Sequence, residues 1–347
     1  MTEPPNETEA SNKTAPSNKT APSNKTAPSN TPDPSNAPEP SKWNADHIPD
    51  LTGRVFVVTG ANSGLGLATT RALARRGADV VLAVRDEAKG RAAADAITRE
   101  LPAARLDVRR IDLADLGSVR AFAAQLRAER PRLDVLVNNA GVMAPPRTLS
   151  ADGHELQFAA NHLGHFALTG LLLDHLATTG HEPRVVTVSS LQHRKGTLDF
   201  TDIHGARRYS PTGHYSQSKL ANTVFGHELH RRLTAAGSPV SSVLAHPGYT
   251  ATNLQNDTPV ALVRWLYGRI LGPLLAQAPE TGALPQLYAA TAPGVESGAF
   301  FGPDGPGELR GAPKPVAYAP AATDPETGRR LWELSEELTE VRYPALA

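Results

Sequence analysis

Two chemistries share the stretch GHYSQSKLAN, residues 213–222. Ser216 and Lys219 have the S-x-x-K spacing of an acylating serine and its lysine. Tyr215 and Lys219 are four apart, so on a helix they stand on one face and can act together on one cleft. A phenol ordinarily ionises near pH 10, too high for a base at neutral pH. An ammonium about 5 Å away, at an effective dielectric of about 20, favours the phenolate by roughly 3 kcal/mol, or about two pKa units. The first reading is a nucleophile and the second a proton shuttle.

A second group with chemical meaning is TGANSGLG, residues 59–66. Gly60 permits a tight turn, Gly64 lets backbone approach a pyrophosphate, and Gly66 lets a helix pack close to a sheet. The turn follows the apolar run RVFVVTG (54–60) and opens an Ala/Leu-rich helix ending at Gly77. A helix N-terminus there offers free N–H groups and partial positive charge to a phosphate. A dinucleotide is therefore expected. The next strand ends AVRD, with Arg85 where an acidic residue would hold the ribose 2′-hydroxyl of NAD. A guanidinium suits a 2′-phosphate, so NADP is expected rather than NAD, with Asp86 as a neighbour able to neutralise part of the charge.

The elements that must position these groups alternate regularly. Apolar runs at 54–60, 79–85, 104–113, 133–141, 183–190 and 239–248 read as buried strands. Helical patterns lie between them, at 64–76, 87–101, 115–129, about 153–178 and 214–236. Strands that are apolar throughout and separated by helices predict an α/β fold: a doubly wound parallel sheet with helices on both faces. Ligands in such sheets bind outside the carboxyl ends of the strands. The organisation expected is a single unit over 43–347 behind a disordered tail over 1–42. That tail carries SNKTAP three times in tandem, at 11–16, 17–22 and 23–28, with no large apolar residue to bury.

Bulk composition narrows the function classes. The 347 residues carry 35 Lys+Arg and 35 Asp+Glu, so the net charge gives no field for nucleic acid or an anionic membrane. There is no cysteine, which excludes disulfides and thiolate chemistry. No apolar run of about 18 residues predicts a membrane span, and no secretory signal is visible. A cytoplasmic setting is the expectation, with a homo-oligomer possible.

With TGANSGLG, NNAG (138–141), VSS (188–190), YSQSK (215–219) and HPGYTAT (246–252) in this order, the chain resembles the short-chain dehydrogenase/reductase family. AVRDEAKG, NHLGHF and the long stretch between Ser190 and Tyr215 are most similar to its retinol-dehydrogenase-like branch. The resemblance spans about 51–320 and implies a Rossmann-type oxidoreductase. It assigns Tyr215 as general acid/base, Lys219 as its electrostatic partner and a ligand of the nicotinamide ribose, and Ser190 as donor to the substrate oxygen. Asn161 would fix a water that relays protons to Lys219. Cofactor contacts would come from Asn62, Ser63 and Leu65 in the glycine turn, and from Asp112 and Leu113 at the adenine. Asn139, Ala140 and Gly141 would line the ribose, and Pro247, Gly248, Thr250 and Thr252 would hold carboxamide and pyrophosphate. A substrate lid is expected around 253–280.

The tyrosine reading of the opening stretch then prevails. S-x-x-K chemistry needs S-D-N and K-T-G elements, and only KGT, in the wrong order, occurs at 195–197. The expected function is an NADP-dependent oxidoreductase interconverting an alcohol and a carbonyl of a small molecule. A sugar-nucleotide epimerase or dehydratase and a non-catalytic NADP-sensing module are the rivals. No metal site is expected, because HELH (227–230) spaces its histidines i and i+3 and reads as a solvated helix face. His162 and His165 are expected to pack in the core or support the site from behind. The amphipathic segment RRLWELSEELTEV is expected to cover the core through Trp332, Leu334 and Leu338.

Overall fold

The computed structural model describes residues 1, 42–178, 181–250 and 277–346. The expected tail over 1–42, apart from its two end residues, and most of the expected lid, 253–276, lie outside the described residues, as does Thr252.

One sheet of eight strands organises the chain: β1 (Val55–Thr59), β2 (Asp79–Val84), β3 (Arg105–Arg110), β4 (Val135–Asn138), β5 (Arg184–Val188), β6 (Ser241–Ala245), β7 (Phe300–Pro303) and β8 (Pro313–Pro315). Their order is β3-β2-β1-β4-β5-β6-β7-β8. Every pairing from β3 to β7 is parallel, and only β8 runs antiparallel, at the edge. The order reverses between β1 and β4, which makes the gap above their carboxyl ends the crevice of the doubly wound sheet. The last two strands go beyond the six expected. FFGP and PKP are too short and too rich in proline and glycine to show strand periodicity, and proline is tolerated in β8 because it is an edge strand.

Helices cover both faces. Phe56 and Val58 point to one side with Val80, Leu82 and Val137, and pack against helix α1 (Gly64–Arg75). Val55 and Val57 point to the other, against α3 (Leu116–Glu129). Helix α2 (Glu87–Glu100) starts at Asp86, whose carboxylate caps the Lys89 N–H at 3.1 Å.

The expected helix over 153–178 is in fact three pieces. Helix α4 (Leu156–Phe158) is capped by the Glu155 carboxylate, then a π-type turn spans Ala159–Leu163, where Gly164 N–H bonds the carbonyl of Ala159. Helix α5 (Gly164–Ala177) follows. Asn161 sits inside the wide turn. Helix α6 (Pro211–Ala235) begins three residues before the expected start, because Ser210 caps Gly213 N–H and Pro211 takes the first turn, where its missing N–H costs nothing.

After β6, α7 (Pro279–Gly282) and α8 (Leu284–Thr291) lead to β7, and α9 (Pro320–Thr323) leads to α10 (Pro325–Thr339). As expected, α10 buries Trp332, which packs edge-on to Phe166 at 5.2 Å and stacks on Phe225 at 6.1 Å, while Leu334 and Leu338 are partly buried against a second cluster that includes Phe158 and Leu331. The HELH segment is not a solvated face. Glu228 is 2% exposed and held by Arg231 and Arg232, and His230 bonds Ser297 at 2.9 Å. No cluster of three metal-ligating side chains exists among the described residues, and none of their helices is long and apolar enough to cross a membrane.

Candidate active site

The carboxyl ends of β1 to β6 open onto a crevice of about 1260 Å³. Its wall starts at the glycine turn, with Gly60, Asn62, Ser63, Gly64, Leu65 and Gly66 all lining it. A side chain on Gly66 would collide with the Gly60 carbonyl and come 2.7 Å from Asn139 Nδ2, so this close crossing needs glycine. Ser63 starts α1 without spending its hydroxyl on the helix, leaving first-turn N–H groups for a bound anion.

Arg85 and Lys89 line the same crevice at the end of β2. Asp86 does not neutralise Arg85: its carboxylate caps α2 and lies 3.6 Å from Lys89 Nζ. Arg85 is exposed and has no ion-pair partner among the described residues. Asp112 and Leu113 line the wall from β3, and Asn139, Ala140 and Gly141 from β4. Strand β4 ends at Asn138, and the next two N–H groups, of Asn139 and Ala140, turn to the Thr59 hydroxyl at 2.9 Å each, the first shared with the Val137 carbonyl at 3.0 Å. Pro247, Gly248 and Thr250 close the far side.

Tyr215, Lys219 and Ser190 line this crevice together. The Ser190 hydroxyl is near enough to the Tyr215 phenol to favour its ionised form, and it accepts the Gln192 N–H at 3.3 Å. Its neighbour Ser189 is turned away, bonded to the Lys219 carbonyl at 2.9 Å and to Thr223 Oγ1 at 2.8 Å. Lys219 donates to the Val188 carbonyl at 3.3 Å. Asn161 stands behind the wall, fully buried. Its Oδ1 accepts from Val142 N–H at 2.8 Å, and its Nδ2 donates to the Val142 carbonyl and to Ser218 Oγ, both at 2.9 Å. The amide is thus committed to framing the turn after Gly141. An ideal Cβ on Gly141 would stand 3.1 Å from Asn161 Oδ1 and 3.5 Å from Lys219 Nζ, so these three positions share one tight corner.

The electrostatics of the pair depart from the expectation. Lys219 Nζ lies 5.9 Å from the centre of the Tyr215 ring, yet burial dominates and pushes the phenol up to about 12, with the nearby Ser190 hydroxyl pulling the other way. Burial also pushes the lysine down to about 8. Both groups are driven toward their neutral forms because both sit in low dielectric. The lysine does not bring the phenol down toward neutrality, as the Coulomb argument anticipated. Burial thus keeps the phenol in its protonated form at pH 7.

A support behind the site was missed by sequence reasoning. His246 Nε2 donates to Glu308 Oε2 at 2.9 Å, and its Nδ1 accepts from Gly248 N–H at 3.2 Å. Arg194 reaches both oxygens of the same carboxylate, at 2.9 and 2.7 Å. Burial raises the Glu308 carboxyl, but the bonds from Arg194 and His246 outweigh it and hold it below the usual range. Gln277 adds a second brace, donating Nε2 to the Pro247 carbonyl at 2.6 Å. His246 was visible in HPGYTAT, but nothing near Glu308 in sequence points to a partner 62 residues away.

Comparison with known proteins bears on the fold and the family. The family model described as short chain dehydrogenase matches residues 54–261. The chain is 41% identical over 302 residues to human retinol dehydrogenase 13, covering 85% of this chain and 87% of that one. It is 42% identical over 297 residues to mouse polyprenol dehydrogenase, covering 84% and 85%. Among solved structures, an uncharacterized protein from Mycobacterium paratuberculosis superposes with a TM-score of 0.72 at 44% identity, covering 87% of this chain and 99% of that one. A Beutenbergia cavernae protein described as an NAD(P)-dependent gluconate 5-dehydrogenase, with bound NADP, superposes with a TM-score of 0.56 at 27% identity over 70% of this chain and 91% of its own. A glycine-turned crevice of this fold with that breadth of kinship identifies an oxidoreductase, and the chain belongs to the short-chain dehydrogenase family.

Proposed function

We propose that this protein is an NADP-dependent oxidoreductase that interconverts an alcohol and its carbonyl, with Tyr215 as the proton-transferring group. The observation that carries the reading is that Tyr215, Ser190 and Lys219 line one wall of the crevice that the glycine turn opens. The residues present fit a dinucleotide: free N–H groups at the start of α1, the glycine crossing at Gly66, and two cations, Arg85 and Lys89, at the end of β2. A bound nicotinamide supplies or accepts the hydride. Arg85 would pair with the 2′-phosphate, which distinguishes NADP from NAD.

The chain's own residues manage the proton. Ser190 lines the crevice with the phenol and would bond the substrate oxygen, holding that oxygen against the acid. In carbonyl reduction the Tyr215 O–H bond breaks and its proton goes to the oxygen on which negative charge develops. In alcohol oxidation the phenolate takes the hydroxyl proton. Lys219, protonated below about pH 8, stabilises the phenolate left after donation. The neutral phenol at pH 7 favours reduction in the protonation step.

Val142, Met143, Ala144 and Leu156 line the crevice beyond Gly141 and are apolar, whereas the charged wall residues other than Lys219 are Arg85, Asp86, Lys89 and Asp112, grouped after β2 and β3. Together with relatives named for retinol and polyprenol, this supports an apolar alcohol or aldehyde as substrate. Residues 43–347 would act as one catalytic unit. The test is a panel of apolar and charged aldehydes, ketones and alcohols followed by NADPH and NADH absorbance. Turnover of apolar members with NADPH is expected, and failure of the whole panel with both cofactors would overturn the reading.

A further inference from the structure

His165 does not line the crevice and is 1% exposed, yet each of its ring nitrogens is bonded to a residue that frames the site. Nδ1 lies 2.9 Å from the backbone carbonyl of Asn161, and Nε2 lies 2.9 Å from Thr59 Oγ1. A carbonyl can only accept, so Nδ1 carries a proton. Thr59 Oγ1 already accepts the N–H groups of Asn139 and Ala140, at 2.9 Å each. Its single hydrogen is then best spent on Nε2, since the other acceptor, the Val137 carbonyl, is farther, at 3.3 Å. All these bonds are satisfied together by one state: a neutral imidazole with its proton on Nδ1. Burial and the nearby Lys219 charge both disfavour the cation, and the Asn161 bond only partly offsets them.

We propose that His165 is a positioning residue, a rigid strut that fixes the Asn161 turn against the turn after β4. The inference rests on the oxidoreductase reading above. One end holds the wide turn whose Asn161 side chain frames Gly141 and Val142, the corner beside Lys219. The other end orients the Thr59 hydroxyl that bends Asn139 and Ala140 into the cofactor wall. Its two nitrogens therefore serve two functions that substitution can separate. The Asn161 end bears on proton transfer, and the Thr59 end on cofactor binding.

Asparagine places a donor near the Nδ1 position, glutamine reaches toward Nε2, and leucine supplies neither. His165→Asn is expected to keep kcat within about threefold of wild type while weakening NADPH binding about tenfold, the scale of one lost buried hydrogen bond. His165→Gln is expected to do the reverse, and His165→Leu to lose both. Thr59→Ser retains the hydroxyl and is expected to keep NADPH affinity, whereas Thr59→Val should weaken it about as much as His165→Asn. Binding is read by NADPH fluorescence, apart from turnover. Nitrogen-15 NMR of the wild type, assigned with His165→Asn, reads the tautomer without any reaction. An Nδ1–H signature for His165 is expected. An Nε2–H signature, or asparagine and glutamine variants that change kcat and NADPH affinity in parallel, would overturn the strut. A wild type with the Nδ1–H signature that neither binds NADPH nor turns over would instead overturn the functional reading and, with it, any catalytic role for the strut.

Discussion

Ser190 lines the crevice with Tyr215, while its neighbour Ser189 turns its own hydroxyl into helix α6, onto the carbonyl of Lys219. Adjacent residues of an extended segment face opposite ways, so only one of the two serines can meet the tyrosine. Ser190→Ala should therefore lower kcat by about 10²-fold or more, whereas Ser189→Ala should act mainly on stability, lowering Tm with kcat changed only a few-fold. Steady-state kinetics and thermal melts of both variants check this. A larger kcat loss in Ser189→Ala would reverse the assignment.

The pH dependence has a defined sign. Burial pushes the Tyr215 phenol up to about 12, so the phenolate needed for oxidation grows with pH while the phenol needed for reduction is abundant through neutrality. Oxidation kcat is expected to rise from pH 7 to pH 9. Reduction kcat is expected not to rise over that range, and to fall as Lys219 loses its proton near pH 8. Profiles measured in both directions with one substrate pair check it, and a reduction rate that climbs with pH would contradict it.

Arg85 is exposed on the crevice wall with Asp86 committed to Lys89. Losing a charge-assisted bond to a phosphate costs about 1.5–3 kcal/mol, so Arg85→Ala should weaken NADPH binding by about 10- to 100-fold. NADH affinity should stay within about twofold, because NADH lacks that phosphate. Titration with both cofactors decides, and equal losses would remove the phosphate role.

How much of this was legible in the sequence depends on the range of the interaction. The glycine turn, the Tyr215–Lys219 spacing and the order of the strands are local patterns, and the crevice gathers them as expected. The break in the helix before α5 was not legible, because π-type turns follow no simple residue code and Asn161 is unremarkable in a helical pattern. The Ser210–Pro211 start of α6 could have been read from its cap. The Arg194–Glu308–His246 link could not, since it joins loops far apart in the chain. The rise of the tyrosine pKa was missed because a pairwise Coulomb argument omits burial.

Glu308 is expected to matter through Gly248. Glu308→Gln keeps the shape but weakens its grip on Arg194 and His246, so the turn at Pro247–Gly248 loosens. NADPH affinity should fall about tenfold, roughly 1.4 kcal/mol, with kcat nearly unchanged. A collapse of kcat at unchanged cofactor affinity would contradict this.

Three buried histidines set the acid limit of the fold. Burial pushes His162 down to about 3, and His165 and His246 to about 4. Below about pH 6.5 the unfolded chain binds protons that the folded one does not, so stability is present above that pH and is lost as pH falls toward 4. Each group costs up to about 2 kcal/mol by pH 5. Tm is expected to drop clearly between pH 7 and pH 5, and a flat Tm over that interval would refute the neutral assignment.

The most direct test of the central proposal is isotope transfer. Wild-type protein and Tyr215→Phe are incubated with NADPH carrying deuterium at the nicotinamide C4 and an apolar aldehyde, and the alcohol is examined by mass spectrometry. The expected result is deuterium on the carbinol carbon with the wild type, a rate about 10²- to 10⁴-fold lower with the variant, and similar NADPH affinity for both. Transfer by Tyr215→Phe at the wild-type rate would contradict the account.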